Sequence, residues 1–449
     1  MGISEYYESL KKEYSERTPI SGRTFEKAKL YLAGGETRTV SYYPPYPLTI
    51  ESGKGATLID VDGNRYYDFI NNYTSLIHGH ANEKISEAIA YAVQRGTAAP
   101  AGIEEQVKLA ELMADRIPCV DTVRFCNSGT EATLFATRAA KVFTGKNGIV
   151  KMLGGYHGTT DMMEYNVTPP SIDYEHPENN LIPKPDIPGV SEKIASEMFV
   201  IPYNDLDAAE KLFDEHHEEI AGVIIEPFLG AGGVIPAKKE FLEGLRKLCT
   251  KYGCLLIFDE VQALRLSEGG AQKMYGVTPD ISSFGKIIGG GLPVGAVGGR
   301  RDIMDVFNAT GKKPVTQSGT FNGNRATMAA GYAALMQYKQ ADCDRLDRLG
   351  QRLQEKINMA FEEVGIDGCA TRAGSLLNYH FVKGIPDNFL DVTKEDKELC
   401  KVMHLEMLKR GFFIAPRGLV VLSTPMNEMV VDACADAFKD SLIEISKHM

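Results

Sequence analysis

The sequence predicts an α/β protein whose large domain is built on a mainly parallel sheet and whose smaller domain is of the α+β type. Short apolar runs alternate with helical segments between about residues 83 and 299, as strands joined by crossover helices do. From about Arg325 two helical segments follow each other directly, and mixed strands and one more helix complete the chain. We therefore expect residues 1–75 and 326–449 to form the smaller domain and residues 76–325 the large one.

The composition argues against several classes of protein. The chain has 449 residues and a formal net charge of −11, which argues against binding nucleic acid or an anionic membrane surface. Its eight cysteines are scattered without a CxxC pair, so they indicate reduced thiols in a cytoplasmic protein and no zinc site. The N-terminus lacks the apolar core of a signal peptide, and no run approaches the ~18 apolar residues of a membrane span.

The N-terminal region combines helix, irregular chain and hairpin. Residues 3–33 have helical spacing that Gly34 and Gly35 end, and the segment TRTVSYYPPYP contains three prolines that exclude a helix. The next segment, PLTIESGKGATLIDVDGNRYYDFI, alternates apolar and polar residues around Asp62 and Gly63, which is a strong hairpin signal. It predicts an antiparallel meander.

The central region carries the elements of the predicted large domain. Helices are expected at residues 83–95, 103–116, 130–143, 206–217 and 239–252. Strands are expected at residues 123–126, 148–152, 197–201, 222–226 and 255–258. Residues 168–196 are rich in proline and asparagine and predict a long surface loop, and helices at 326–339 and 343–364 open the C-terminal part.

A carboxylate and a lysine in the stretch from Leu255 to Gly299 indicate the chemistry. The apolar run LLIF ends on Asp259, and a buried carboxylate needs a cationic or hydrogen-bonding partner. Lys286 lies among small and apolar residues, where a desolvated lysine becomes a nucleophile. Pyridoxal phosphate chemistry uses this pair, the acid at the pyridinium nitrogen and the amine in a Schiff base. Val261 is placed to pack on the ring and Gln262 to donate to its phenolic oxygen, whereas Glu260 faces the other side of the strand.

Two further strand ends carry polar or aromatic groups suited to such a cofactor. Tyr156 lies between glycines in GGYHG, where an aromatic ring can lie flat against a planar ligand. Glu226 ends the apolar run VII at the predicted edge that also carries Asp259. Each residue also has a purely structural explanation: Tyr156 as a partly buried tyrosine and Glu226 as a helix-capping neighbour. His157 is more readily explained as a hydrogen-bonded polar group than as a base.

Two small polar turns are candidates for phosphate binding. In FCNSGTE a strand ends and a helix begins, with Ser128 and Glu131 spaced as a capping box around Gly129 and Thr130. The free N–H groups of such a helix start bind anions, although an ordinary capped helix has the same pattern. A second phosphate donor is expected from Thr320 in SGTFNGN.

Two arginines near the ends of the chain are candidates for binding substrate carboxylates. Arg38 lies in the proline-rich segment and Arg417 in the rigid turn APRG, and the guanidinium fork suits a carboxylate. The alternative for each is a surface salt bridge. The neighbouring Tyr42, with Tyr43 and Tyr46, predicts a bulky and partly apolar pocket. The sequence HGH at residues 78–80 lacks companion ligands, so we expect no metal site.

Together these motifs resemble the class III aminotransferases, which are fold type I pyridoxal phosphate enzymes, over nearly the whole chain. The resemblance is carried by GATLIDVDGNRYYDF, FCNSGTEA, GGYHG, FDEVQ, FGKIIGGGLPVGAVGGRRDIM and SGTFNGN. It implies a homodimer in which Lys286 is the Schiff-base lysine, Asp259 the pyridinium partner and Tyr156 the stacking ring. It also implies that residues 128–130 bind the phosphate and that Thr320 reaches the site of the partner subunit.

Within this family the chain is similar to two groups, the β-phenylalanine type aminotransferases and glutamate-1-semialdehyde 2,1-aminomutase. The arginine-bearing turn at Arg417 and the segment around Arg38 favour the first group, although Gln262 stands where both groups usually have methionine. The resemblance therefore implies transfer of an amino group from a β-amino acid to a 2-oxo acid such as 2-oxoglutarate or pyruvate. The alternatives are an aminomutase, a racemase or epimerase, and a cofactor-binding protein without turnover.

Overall fold

The computed structural model describes residues 2–449 of the chain. Its helices are α1 (Ile3–Arg17), α2 (Pro19–Ala28), α3 (Asn71–Thr74), α4 (Glu83–Gln94), α5 (Glu104–Arg116), α6 (Gly129–Thr144), α7 (Leu206–His216), α8 (Lys239–Tyr252), α9 (Gly270–Tyr275), α10 (Arg301–Met304), α11 (Arg325–Gln337), α12 (Gln340–Val364), α13 (Phe389–Val392), α14 (Lys397–Lys409) and α15 (Glu428–Ser446). Its strands are β1 (Ile50–Lys54), β2 (Thr57–Asp60), β3 (Arg65–Asp68), β4 (Thr122–Cys126), β5 (Gly148–Met152), β6 (Met198–Ile201), β7 (Ile220–Ile225), β8 (Phe228–Leu229), β9 (Ile235–Pro236), β10 (Leu255–Asp259), β11 (Ile281–Gly285), β12 (Gly295–Gly299), β13 (Cys369–Ala373), β14 (Leu376–His380), β15 (Phe412–Phe413) and β16 (Leu419–Val421).

One unit, formed by residues 83–345 and 386–393, is built on a seven-stranded sheet. The strand order is β4-β12-β11-β10-β7-β5-β6, and only β12 runs antiparallel to its neighbours. The prediction of a mainly parallel sheet is therefore confirmed. Because β4, β5, β7, β10 and β11 run in the same direction, their carboxyl ends lie along one edge, where ligands bind in open α/β sheets.

Both faces of this sheet are covered, which explains why its strands are continuous apolar runs. On one face Leu256 and Phe258 of β10 pack with apolar residues of α8. On the other face Leu255 and Ile257 pack with alanines of α6. This burial fixes β10 in the middle of the sheet, and it holds the carboxyl end of the strand, with Asp259, at the edge described above.

The other unit contains residues up to 82 together with 346–385 and 394–449, so both chain ends belong to it. It has a four-stranded sheet with the order β1-β2-β3-β15 and a three-stranded sheet with the order β13-β14-β16. The predicted meander is confirmed, and Gly63 has the positive φ of 86° that its hairpin turn requires. The prediction of a single helix after Val364 is wrong, because the structure has α14 and α15 as well as the short α13.

The boundaries between the units fall after residues 82 and 345, where the sequence places them after residues 75 and 325. Helix α11 packs against α4 and α5, and Ala330 and Ala334 share a small apolar cluster with Ile85. This packing assigns α11 to the unit with the large sheet. Within residues 2–449, none of the helices combines the length and the apolar character that a membrane span requires.

Candidate active site

The carboxyl edge of the large sheet collects the residues that the sequence selected for the cofactor. Asp259 is the last residue of β10, and Lys286 follows directly on β11. The two strands are parallel neighbours, with Asp259 paired in register with Ser283. The turns after β4, β5 and β7, which carry Ser128, Tyr156 and Glu226, lie along the same edge.

Asp259 is buried and surrounded by hydrogen-bond donors. Its Oδ1 accepts hydrogen bonds from Ser283 Oγ at 3.0 Å and from the backbone N–H of Val261 at 3.1 Å. Its Oδ2 lies 2.8 Å from Nδ1 of His157, which is also fully buried. A carboxylate accepts hydrogen bonds only, so Nδ1 of His157 carries the proton and donates it.

His157 is a site residue that the sequence analysis did not select. Burial lowers the pKa of its imidazole, opposed by the hydrogen bond to Asp259, so the ring is neutral at neutral pH. Thr133 Oγ1 donates to the carbonyl of His157 at 2.6 Å and fixes its backbone. The signal in the sequence was its place in GGYHG, directly after a buried strand.

Glu226 anchors the turn that carries Tyr156. One carboxyl oxygen accepts the N–H of Tyr156 at 3.0 Å and the other accepts the N–H of Gly230 at 3.2 Å. Burial, with a further contribution from Asp259, raises the pKa of Glu226 to about 8. Tyr156 is 37% exposed, so its side chain is accessible at the sheet edge while its backbone N–H is bound by Glu226.

The turn before α6 has the geometry of an anion site. Ser128 is the N-cap, its Oγ accepts the N–H of Glu131 at 3.1 Å, and Glu131 in return accepts the N–H of Asn127 at 3.0 Å. The first N–H groups of a helix, here those of Gly129 and Thr130, have no partner within the helix. The capped helix start that the sequence predicted is present in the structure.

Glycines allow the backbone around this turn to pack closely. A Cβ on Gly129 would lie 3.0 Å from Val261 Cγ1, and a Cβ on Gly285 would lie 3.2 Å from the same atom. Gly158 has a positive φ of 88°, and a Cβ there would lie 2.5 Å from Thr130 Oγ1. Val261 thus packs between the helix start and the strand that leads to Lys286.

Lys286 and Gln262 complete the group at the sheet edge. Lys286 is partly buried and has a positive φ of 51°, a conformation that is strained for a residue with a side chain. Its charge lowers the pKa of Glu226, which shows that the two groups are close enough to interact. Gln262 lies against Gly230, where a Cβ would come within 2.4 Å of its Nε2.

Thr320 lies in a loop at the surface of the same unit. It is exposed, and the next residue, Phe321, is 64% exposed. A hydrogen bond connects this loop to the turn before α6: Asn127 Nδ2 donates to Asn322 Oδ1 at 2.6 Å.

The two predicted carboxylate-binding arginines belong to the other unit, where both lie near Tyr73. Arg38 Nη1 donates to Asn72 Oδ1 at 2.8 Å, and its guanidinium carbon lies 5.6 Å from the centre of the Tyr73 ring. Burial raises the pKa of Tyr73, and the charges of Arg417 and Arg38 oppose that rise. The charges of Arg38 and Arg417, which are far apart in the sequence, therefore both act on the Tyr73 hydroxyl.

Tyr73 lies in α3, a single turn with left-handed backbone angles. Residues Asn71, Asn72, Tyr73 and Thr74 have φ values of 50°, 47°, 52° and 77°. Asparagine tolerates this region, whereas a bulky tyrosine and a β-branched threonine rarely adopt it. The turn is strained, and the Tyr73 hydroxyl, which donates to the carbonyl of Val40 at 2.5 Å, ties it to the segment of Arg38.

The three tyrosines of the predicted pocket differ in exposure and in their contacts. Tyr42 is exposed and packs on Phe25 with ring centres 6.0 Å apart. Tyr43 is buried, and its hydroxyl accepts the N–H of Leu48 at 2.9 Å. The hydroxyl of Tyr46 donates to the carbonyl of Thr18 at 3.0 Å, which places it against α2.

The histidines at residues 78 and 80 have partners of their own. His78 Nδ1 lies 3.0 Å from Thr424 Oγ1, and His80 Nε2 lies 2.7 Å from Asp68 Oδ2. Across residues 2–449, no cluster of three or more His, Cys, Asp or Glu side chains has an arrangement that could hold a metal ion.

Comparison with known proteins places the chain in a family. The family model described as "Aminotransferase class-III" matches residues 40–439. The chain belongs to the class-III aminotransferases. This membership and the likeness to solved structures confirm the α/β fold type I architecture, and they make the protein a pyridoxal phosphate-dependent enzyme.

Three relatives illustrate the range of class-III aminotransferases similar to this chain. Glutamate-1-semialdehyde 2,1-aminomutase 2 of Halalkalibacterium halodurans is 38% identical over 433 residues, covering 95% of this chain and 99% of its own. The beta-phenylalanine transaminase of Variovorax paradoxus is 37% identical over 423 residues, covering 94% and 92%. A solved structure described as a transaminase with PLP bound has a TM-score of 0.88 and 35% identity, covering 96% and 98%.

The residues at the sheet edge fit the cofactor of the class-III aminotransferases. The start of α6 offers the backbone N–H groups of Gly129 and Thr130 to a phosphate, and Gly158 lets the neighbouring loop pack closely against Thr130. Buried Asp259 offers a carboxylate to a cationic ring nitrogen, and Lys286 offers an amine to an aldehyde. The donor set therefore matches each part of pyridoxal phosphate.

Proposed function

We propose that the protein is an aminotransferase that moves an amino group from a β-amino acid, of the aromatic β-phenylalanine type, to a 2-oxo acid such as 2-oxoglutarate or pyruvate. The observation that carries the proposal is that Arg38 lies 5.6 Å from the centre of the Tyr73 ring and that the charges of Arg38 and Arg417 both lower the pKa of this tyrosine. A donor and an acceptor each present a carboxylate, and arginine binds a carboxylate through two parallel hydrogen bonds. Exposed Tyr42 adds an aromatic surface for the side chain of the donor.

The residues at the sheet edge take distinct roles in this reaction. Bound pyridoxal phosphate supplies an electron sink that stabilises negative charge on the carbon that bears the amino group. Lys286 would hold the cofactor through Nζ, and its free amine would take the proton from the carbon that bears the amino group and deliver it to the carbon of the cofactor that carries the aldehyde. Asp259 holds a proton on the ring nitrogen through its carboxylate.

The remaining residues bind and orient the cofactor. The N–H groups at Ser128, Gly129 and Thr130 bind the phosphate, and Tyr156 covers one face of the ring. His157 donates from Nδ1 to Asp259 and orients that carboxylate, while Val261 and Gln262 pack at the ring and its oxygen. Glu226 holds the backbone of Tyr156 and thereby sets the position of the ring-covering side chain.

We further propose a cytoplasmic homodimer in which Thr320 binds the phosphate held by the partner subunit. The exposed position of Thr320 supports this role. The eight cysteines are free and buried, as expected of a protein kept in a reducing compartment.

An aminomutase is the second candidate, since a glutamate-1-semialdehyde 2,1-aminomutase is among the relatives at 38% identity. In that reaction the same lysine and aspartate return the nitrogen to the same carbon skeleton, and no separate acceptor is needed. A racemase or epimerase likewise needs no acceptor and changes only the configuration of the carbon.

The test is a screen of half-reactions with purified holoenzyme. α-, β- and ω-amino acids are added singly without an oxo acid, and conversion of the cofactor to its amine form is followed by absorbance. We expect conversion by β-phenylalanine, with turnover only after 2-oxoglutarate or pyruvate is added. A new isomer or enantiomer formed without acceptor would support the second candidate and contradict the first.

Lys286→Ala is the control that ties the activity to this site. The absorbance of the cofactor bound to the lysine, and the transamination, should both be lost in this variant. Turnover that survives the substitution would contradict the role assigned to Lys286.

A further inference from the structure

A lysine in the middle of β5 has no role in the function described so far. Lys151 is completely buried, and strand alternation places it on the face of the sheet that carries Ile149. Its neighbours on that face include Met163 and Tyr165, which belong to the same apolar cluster. A buried ammonium group is costly unless it is hydrogen-bonded, so its bonding partners indicate what it does.

Lys151 binds the chain segment that follows the Tyr156 turn. Its Nζ donates to the carbonyl of Met163 at 3.0 Å and to the carbonyl of Tyr165 at 2.5 Å. The next residue, Asn166, accepts the N–H of Gly154 through its own carbonyl at 2.8 Å. Lys151 is thus linked in two steps to the start of the turn that carries Tyr156 and His157.

The segment is fixed from its other side as well. Asp186 Oδ2 accepts the N–H groups of Val167 and Thr168, and the N–H of Asp186 donates to the carbonyl of Glu164 at 2.9 Å. Asn166 Nδ2 donates to carbonyls at Asn180 and Ile182 at 2.9 Å and 3.0 Å. Residues 163–168 are therefore a rigid support, and Lys151 is its fully buried cation.

Lys151 interacts electrostatically with two residues of the candidate site, Glu226 and His157. Burial lowers the pKa of Lys151 to about 8, and the carboxyl groups of Asp186, Glu226 and Glu164 oppose that fall to the extent that they are ionised. The charge of Lys151 in turn lowers the pKa of His157. A cation on this side therefore favours the neutral imidazole, whose Nδ1–H donates to Asp259.

We propose that Lys151 is a positioning residue for the cofactor site. Its buried ammonium group holds residues 163–166, and through the hydrogen bond between Gly154 and Asn166 it fixes the Tyr156–His157 turn. The inference rests on the proposed function, because it assigns Tyr156, His157 and Asp259 to the cofactor.

The experiment compares Lys151→Met with Lys146→Met. Lys146 lies before the opposite end of the same strand, and its Nζ also donates to two carbonyls, those of His217 at 2.8 Å and Tyr252 at 3.4 Å. The control therefore loses a similar set of hydrogen bonds away from the sheet edge. Lys151→Gln, which is neutral but polar, is measured in parallel in case Lys151→Met does not fold.

Two readouts on the cofactor-free protein decide the proposal. Nitrogen NMR of labelled histidine, with the His157 signal assigned by its loss in His157→Asn, gives the tautomer and pKa of the imidazole. Equilibrium dialysis gives the dissociation constant for pyridoxal phosphate. We expect Lys151→Met or Lys151→Gln to raise the pKa of His157 and to raise the dissociation constant about tenfold, as loss of a charged buried hydrogen bond does. Lys146→Met should change neither.

A folded Lys151 variant with the His157 pKa and the dissociation constant of Lys146→Met would overturn the proposal. The NMR readout does not depend on catalysis. If the holoenzyme transaminated no donor, the proposed function would fail while the role of Lys151 was still decided.

Discussion

At the scale of single residues, Glu226 is an acid that stays largely protonated at neutral pH. Burial and the neighbouring Asp259 raise its pKa from 4.5 to about 8. An acid whose pKa is raised on folding stabilises the folded state fully below its unfolded pKa, and this stabilisation is lost as pH rises through the folded value. The cofactor-free protein should therefore lose stability between about pH 4.5 and about pH 8.

Glu226→Gln should remove part of that pH dependence, because an amide does not titrate. The measurement is the melting temperature of both cofactor-free proteins from pH 5 to pH 8. We expect the variant to be less stable than the wild type at the acidic end and the difference to shrink as pH rises. Other buried acids, such as Glu260 with its pKa of about 7, contribute equally to both proteins. Parallel curves would contradict the raised pKa.

Arg417 offers a second prediction at this scale. Arg417→Lys keeps the charge but loses the planar fork, so KM for one carboxylate substrate should rise about tenfold with little change in kcat. Arg38→Lys should act on the other substrate. The control is Arg352→Lys, since Arg352 binds Asp432 through two hydrogen bonds of 2.7 Å and 2.8 Å in the same unit. Steady-state kinetics with donor and acceptor varied separately give the result, and unchanged KM values in both variants would refute the assignment.

Some residues of the candidate site could be selected from the sequence, and others could not. Lys286 and Asp259 could be selected because their apolar neighbours and their places at strand ends are local signals. His157 could not, because its partner Asp259 lies 102 residues away in the chain. Tyr73 was also missed, since a left-handed turn at a tyrosine and a threonine has no sequence signature.

At the scale of elements, the start of α6 depends on glycine at a neighbouring loop. Gly158 has a positive φ of 88°, and a Cβ added to it would lie only 2.5 Å from Thr130 Oγ1. Gly158→Ala should destabilise the protein by about 1–2 kcal/mol from the backbone alone. It should also push Thr130 out of place and weaken pyridoxal phosphate binding about tenfold, measured by equilibrium dialysis.

Gly145→Ala is the matched control at the other end of the same helix. Gly145 has a positive φ of 71°, and an added Cβ there would meet nothing within 4 Å. This variant should lose a similar stability through backbone strain while keeping the affinity for the cofactor. Equal losses of affinity in the two variants would show that stability alone is responsible.

Most elements could be predicted because their signals are periodic or apolar. Helix α8 was predicted at its observed bounds and α4, α5 and α7 to within one residue, and α6 begins one residue before its prediction. After Val364 one helix was predicted where the structure has two long ones, α14 and α15. Every residue of α14 from Leu399 to Leu408 except Lys401 is buried, including the polar His404 and Glu406, so the contrast between an apolar and a polar face is weak.

At the scale of the whole molecule, the exposed apolar side chains of the large-sheet unit favour a dimer. Val107 of α5 is 65% exposed and lines a cavity of about 460 Å³ together with Gly319 and Asn322 of the Thr320 loop. Phe321 in that loop is exposed to a similar extent. Large apolar side chains that are exposed beside such a depression are typical of protein interfaces.

We therefore expect the wild-type protein to sediment as a dimer and Phe321→Asp to shift it towards the monomer. If Thr320 binds the partner's phosphate, the same variant should also lose affinity for pyridoxal phosphate. Met359→Asp is the control, because Met359 is 55% exposed on α12 in the other unit. Analytical ultracentrifugation distinguishes the states, and a monomeric wild type with intact activity would contradict the proposal.

The pairing of β10 with β11 has a consequence for the order in which the chain folds. These strands are parallel neighbours joined by a short local crossover, so Asp259, Ser283 and Lys286 can assemble within one βαβ segment. The helix start at Ser128 joins them only when β4 pairs with β12, a contact that closes a far longer loop. If the cofactor binds both to the Asp259–Lys286 segment and to the helix start at Ser128, we expect it to bind only late in refolding. The absorbance of pyridoxal phosphate during refolding would then measure the rate of that late step.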